Sequence, residues 1–157
     1  MSEGAITLGE GGIADLEGVM AVMDDSFDPH FGEAWTATQC AGLLPMPGVW
    51  LTLAKEGPNI VGFALARAVA GEAELLLLAV RSAWQKSGIG KILLESFTET
   101  ARARGVDRLH LEVREGNHAL SLYTEAGFRL VGRRRNYYSG WEGQTFDALT
   151  LAKSKPY

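Results

Sequence analysis

Apolar residues recur along the chain with two different periods, and the points where the period changes divide it into strands and helices. Alternating or β-branched runs bounded by glycine and proline predict strands over residues 5–8, 49–55, 60–68, 74–80 and 108–113, with two more near 128–138 and 145–151. Gly57-Pro58-Asn59 is a short turn between the second and third runs, so these should form an antiparallel hairpin; Ala70-Gly71-Glu72 turns the third into the fourth. Helical spacing appears over 13–27, where Ile13, Leu16, Val19, Met20 and Met23 share one face. It appears again over 36–44, with Thr36 as N-cap and Pro45 and Pro47 as the stop. The clearest helix spans 89–104: Ile89, Ile92, Leu93, Phe97 and Thr100 recur at three- and four-residue steps, and Gly105 caps the end. A last short helix over 118–126 carries Ala119, Leu122, Tyr123 and Ala126 on one side and stops at Gly127.

The order strand 74–80, helix 89–104, strand 108–113 predicts a right-handed crossover that makes its two strands parallel neighbours. Preceded by a meander and followed by more strands, it implies an α/β (α+β) fold. No repeat, linker or low-complexity stretch divides the chain, so residues 1–157 are expected to form a single domain.

Composition narrows the class. With 46% hydrophobic and 22% charged residues, the chain has the balance of an ordinary globular domain. Its longest wholly apolar run, Leu75 to Val80, is far too short for a bilayer, and Met1-Ser2-Glu3-Gly4 has no basic, apolar leader. A cytoplasmic protein with no membrane partner is expected. Cys40 is the single cysteine, and His30, His110 and His118 lie far apart, so neither a disulfide nor a metal site is expected. A net charge of −4 argues against direct nucleic-acid binding, and Arg133-Arg134-Arg135 reads as a solvated strand face.

The candidate chemistry lies between residues 80 and 91. In Gln85-Lys86-Ser87-Gly88-Ile89-Gly90-Lys91, Gly88 and Gly90 let an anion approach main-chain N–H groups, the helix behind offers unpaired amides, and two lysines add charge. A glycine-containing strand-to-helix connection with no ligand has the same appearance. A P-loop is excluded, because one residue separates the glycines and Ile92 follows Lys91. A dinucleotide fingerprint fits poorly, because Leu93 stands at the third glycine position, although Glu112 suits its acid.

This loop resembles the pyrophosphate loop Gln/Arg-x-x-Gly-x-Gly/Ala of the GNAT acetyltransferase superfamily, and the resemblance extends over nearly the whole chain. It is most similar to the bacterial enzymes that acetylate the N-terminal alanine of a small-subunit ribosomal protein. The residues that carry this are 73–80 (Ala-Glu-Leu-Leu-Leu-Leu-Ala-Val), Leu111-Glu112-Val113-Arg114, Leu122-Tyr123 with Ala126-Gly127-Phe128, and Arg134-Arg135-Asn136-Tyr137-Tyr138. The resemblance implies a GNAT fold: one mixed twisted sheet of about seven strands and about four helices, with a bulge near Leu78 that splays the fourth strand from the fifth. It implies acetyl-coenzyme A as co-substrate. Its pantetheine arm would lie along the main chain of Leu78, Ala79 and Val80, its pyrophosphate on residues 85–91 from Gln85 to Lys91, with Asn117 contacting the arm from the other side.

A thioester is already activated, so the protein must hold an amine beside it, remove a proton from nitrogen and return one to sulfur. The resemblance assigns Glu112 as general base and Tyr123 as general acid. Read from the residues alone, Glu112 is a strand-end carboxylate paired with Arg108 or Arg114, and Tyr123 an aromatic packed on Leu122 and Phe128. The segment Asn117-His118-Ala119-Leu120-Ser121-Leu122-Tyr123 is one residue shorter than the subfamily pattern, which bears on Asn117 first. Phe27, Trp35, Tyr137 and Tyr138 are expected to line an acceptor groove, with Asp24, Asp25, Asp28 and Glu33 favouring a cationic acceptor. Three readings remain open: acetylation of a protein N-terminus such as that of a ribosomal protein, acetylation of a small amine, and a non-catalytic acyl-coenzyme A sensor. Either a monomer or a dimer is compatible with the sequence.

Overall fold

A computed structural model describes residues 4–157. Among these residues seven strands form one mixed sheet: β1 (Ile6–Gly11), β2 (Val49–Glu56), β3 (Asn59–Val69), β4 (Glu72–Val80), β5 (Arg108–Arg114), β6 (Arg129–Ser139) and β7 (Thr145–Ser154). Their order across the sheet is β1-β2-β3-β4-β5-β7-β6, antiparallel throughout except for the parallel pair β4–β5. The meander β2 to β4 and the crossover from β4 through a helix into β5 are thus those predicted. β1 runs to Gly11, past the expected end at residue 8, because β2 continues to offer it a pairing edge as far as Leu51.

Two helices cover one face of the sheet and two the other. Val19, Val22 and Met23 of α1 (Leu16–Ser26) and Cys40 of α2 (Ala37–Leu43) pack on Leu51, Leu53, Phe63 and Leu65. Thr36 caps α2 as expected, its hydroxyl accepting from Gln39 N at 3.1 Å while the Gln39 side chain accepts from Thr36 N. Ile13 is 57% exposed and does not share the buried face of α1. Residues Ile13–Asp15 form a 3-10 turn, whose tighter winding rotates Ile13 off the α-helical stripe. On the opposite face, α3 (Ile89–Ala103) buries Ile89, Leu93, Leu94, Phe97 and Ala101, and α4 (Ala119–Glu125) adds Tyr123. Fully buried Phe97 stacks on Trp50, ring centroids 5.9 Å apart.

One irregularity shapes the site. Across β3–β4, Leu65 pairs with Leu77 while Ala66 pairs with Leu75, which leaves Leu76 as an extra residue. Before it, Ala73 and Leu75 face α3; after it, Leu78 and Val80 do, while Leu76 and Leu77 both turn toward α1. The bulge expected near Leu78 therefore lies at Leu76, because the partner strand β3, not the apolar run itself, sets the register. Pairing between β4 and β5 stops there. It joins Glu72–Leu75 to Arg108–Leu111 and does not continue, so β4 beyond Leu75 and β5 beyond Leu111 diverge around an open gap. Among the described residues, no helix is long and apolar enough to cross a membrane.

Candidate active site

The gap is the floor of a cleft of about 670 Å³, the size of a site for a substantial organic ligand. One end of the cleft is built by the connection from β4 to α3. Ser82–Trp84 form a 3-10 turn tied to α1 through Asp25, whose carboxylate accepts from Ser82 N at 2.7 Å. Gln85 turns inward and donates to the Val80 carbonyl at 3.0 Å, and the Ser87 hydroxyl donates to Trp84 O, so the loop is pinned to the end of its strand. Lys86 adopts φ +63° and Gly88, the N-cap of α3, φ +90°. Among the described residues no side chain caps α3, so the amides of its first turn, with Lys86 and Lys91, face the cleft in an arrangement that suits an anion. The Trp84 indole N–H is buried beside it without a hydrogen-bond partner among the described residues.

The middle of the cleft brings together the strand edge, Glu112 and Tyr123. Glu112 on β5 is only 10% exposed; its Oε1 accepts from Arg134 Nε at 2.8 Å and its Oε2 from Thr150 Oγ1 at 2.7 Å. The carboxylate is paired, as expected from the residues alone, but its partner is Arg134 of β6. Arg108 instead approaches Glu72 at 4.0 Å, and Arg114 pairs with Glu33. β7 lies between β5 and β6 with Thr150 opposite Glu112, so Arg134 reaches the carboxylate across β7. Tyr123 is buried against Phe128 and faces the cleft. Burial, reinforced by the negative charge of Glu33, holds its phenol well above the usual value, so it stays protonated.

The other end is the expected acceptor side, where Phe27, Trp35, Tyr137 and Tyr138 all line the cleft. Two glycines make this wall. A Cβ on Gly32, which has φ +69°, would sit 2.0 Å from Ser139 O, and one on Gly140 would sit 1.9 Å from His30 O. Only glycines at these two points let the loop after α1 press against the β6–β7 hairpin, where His30, Phe31 and Phe146 form an edge-to-face cluster. Three residues of β6 bulge between Arg134 and Tyr138, held by Asn136 N donating to Asp147 Oδ1 at 2.9 Å, and this bulge brings the Tyr137–Tyr138 pair to the cleft. Asn117 also lines the cleft, but its side chain is engaged, donating to Glu33 Oε2 at 2.6 Å and accepting from Ala119 N at 2.8 Å. His118 is exposed at the start of α4.

Of the acids expected to attract a cation, Asp28 and Glu33 line the cleft, Asp25 braces the loop, and Asp24 lies on the exposed side of α1. Arg133 bridges Glu115 and Asp147, and Arg134 is held by Glu112, so two members of the arginine run are structural ion-pair partners. Nothing local in the sequence marks Thr150 or the pairing of Arg134. Only strand order could have revealed them. Among the described residues, no three His, Cys, Asp or Glu side chains cluster to hold a metal ion.

The family model described as acetyltransferase (GNAT) family matches residues 16–128. The [ribosomal protein bS18]-alanine N-acetyltransferase of Haemophilus influenzae is 39% identical over 97 residues, 62% of this chain and 66% of that protein. The chain thus aligns with just under two thirds of the length of that relative. Mycothiol acetyltransferase of Jonesia denitrificans is 34% identical over 136 residues, covering 80% of this chain and 43% of that protein. Among solved structures, the ribosomal-protein-S18-alanine N-acetyltransferase from Escherichia coli superposes with a TM-score of 0.84 at 28% identity, covering 96% of this chain and 94% of that one.

Proposed function

The chain belongs to the GNAT acetyltransferase family, and on that premise we propose that it transfers an acetyl group from acetyl-coenzyme A to a primary amine by direct attack in a ternary complex, with a protein N-terminal α-amine as the preferred acceptor. The observation that carries this reading is one continuous cleft joining the uncapped start of α3, the unpaired edge of β4, Glu112 and Tyr123. Its residues fit the co-substrate. The α3 amides with Lys86 and Lys91 suit a pyrophosphate, the loop from Gln85 through Ser87, Gly88, Ile89 and Gly90 shapes the cradle, and the main chain of Leu78 and Val80, on either side of Ala79, which pairs with Phe63 of β3, offers hydrogen bonds to an extended amide-bearing arm.

Acetyl-coenzyme A supplies an acyl group already activated as a thioester. Glu112, anchored by Arg134 and Thr150, retains lone pairs to take a proton from the acceptor nitrogen directly or through one water. A free α-amine, with a pKa of about 8, gives up its proton more readily than a lysine at about 10.4, which favours the N-terminal acceptor. Tyr123, kept protonated by its burial, donates to the departing sulfur. A main-chain N–H near Val80 polarises the acyl carbonyl. Phe27, Trp35, Tyr137 and Tyr138 hold the acceptor, and a ribosomal-protein N-terminus beginning with alanine is the first acceptor to test, consistent with a cytoplasmic location.

A thiol-release assay with acetyl-coenzyme A across alanine-initiated peptides and small amines tests the reading. Turnover of a peptide supports it, and silence with every amine refutes it. The likeness to mycothiol acetyltransferase supports a second reading, a small amine as acceptor. A small amine preferred over every peptide would establish that one.

A further inference from the structure

A carboxylate and a guanidinium are buried together where the acceptor wall meets α4. The Glu33 side chain, ahead of α2, is 9% exposed, and that of Arg114, at the end of β5, is 11% exposed. Glu33 Oε1 lies 3.1 Å from Arg114 Nε, and Oε2 accepts from Asn117 Nδ2 at 2.6 Å. The guanidinium sits 3.7 Å from the Phe31 ring centroid, so the pair is fixed to the acceptor loop on both sides. Beyond it, Asn117 Oδ1 accepts from Ala119 N at 2.8 Å and holds the first turn of α4. Ala119 and Tyr123 are four residues apart on that helix and share a face, so whatever fixes Ala119 also fixes the tyrosine. Withdrawing two charges from water is unfavourable unless the geometry returns the cost, and the best-attested use of such a pair is to set register between elements.

We infer that Glu33 is a positioning residue: through Asn117 it locks the acceptor wall to α4, so that Tyr123 is aligned for the departing sulfur when that wall is seated. This rests on the acetyl-transfer reading and on Tyr123 as its proton donor. The Asn117 side chain is thereby engaged at both ends, Nδ2 with Glu33 and Oδ1 with Ala119.

Asn117→Ser tests the link, because a serine hydroxyl still caps α4 but cannot span to Glu33, and the pair with Arg114 is left whole. In the full chain, the amides of Ala119 to Tyr123 should exchange with solvent roughly tenfold faster while those of β5 and β7 are unchanged. With acetyl-coenzyme A and an alanine-initiated peptide, kcat should fall roughly tenfold, with KM for acetyl-coenzyme A within about twofold of wild type. In a Tyr123→Phe background the same substitution should lower kcat by less than about twofold. Glu33→Gln, whose amide can serve only one of its two partners as an acceptor, should reproduce this pattern. Additive effects of Asn117→Ser and Tyr123→Phe overturn the inference, as does a rise in KM for acetyl-coenzyme A with kcat intact. If the wild-type chain turns over no amine, the acetyl-transfer reading fails with Tyr123's part in it. Unchanged exchange in α4 overturns the link itself in either case.

Discussion

Replacing Glu112 by glutamine separates its two roles, base and ion-pair partner. The substitution keeps the volume, and the new amide can still satisfy both neighbours: its oxygen accepts from Arg134 Nε and its NH2 donates to Thr150 Oγ1, whose hydroxyl turns to accept. What is lost is charge. Arg134 is 62% exposed, so water already screens the pair and folding should lose little. A general base contributes about 10²- to 10⁴-fold to rate. At 1.36 kcal/mol per tenfold, this amounts to about 3 to 5.5 kcal/mol of transition-state stabilisation. Thiol release with acetyl-coenzyme A and an alanine-initiated peptide, run beside a urea melt, should therefore show a catalytic loss well beyond the loss of stability. Arg134→Gln is the control: it removes the ion pair and keeps the carboxylate, and it should cost less than about tenfold. Retention of more than about one third of wild-type kcat/KM by Glu112→Gln would refute the base assignment. So would equal losses in the two variants, which would leave the carboxylate only its pairing with Arg134.

Gly88→Ala should cost about 1 kcal/mol in a urea titration, because φ +90° is strained for alanine although no atom lies within 4 Å of the added carbon; KM for acetyl-coenzyme A should rise as the first turn of α3 shifts. Gly140→Ala meets His30 O at 1.9 Å and should raise the acceptor KM more than that for acetyl-coenzyme A, with a stability loss of at least about 2 kcal/mol by thermal melt. Tyr123 and Tyr138 both have raised phenol pKa values, chiefly through burial, so ultraviolet titration should show neither ionising near pH 10 in the folded chain. The sign follows from linkage: their neutral forms add stability that is fully present below about pH 10 and is lost as pH rises toward their folded values, so alkaline unfolding should accompany their ionisation.

Element order was legible in the sequence because hydrophobic period is a local property. The alternation in β2 to β5, the three- and four-residue steps of α3 and the glycines at 88 and 105 are each read within one element, and together they leave few topologies open. The loop from Gln85 to Lys91 was legible for the same reason, since its glycines and lysines are contiguous. Tertiary structure alone decided where the sheet opens and what each charge faces. In the run of four leucines from Leu75 to Leu78 nothing marks Leu76 as the bulge, because register is a relation between β4 and β3. Glu112 has arginines nearby in sequence, yet it is held from a strand two places away in the sheet, because strand order and not chain distance decides which side chains meet. Glu33, Arg114 and Asn117 come from segments up to 84 residues apart, and nothing in the sequence joins them to one another. Only packing at the junction of three elements turned them into a buried link.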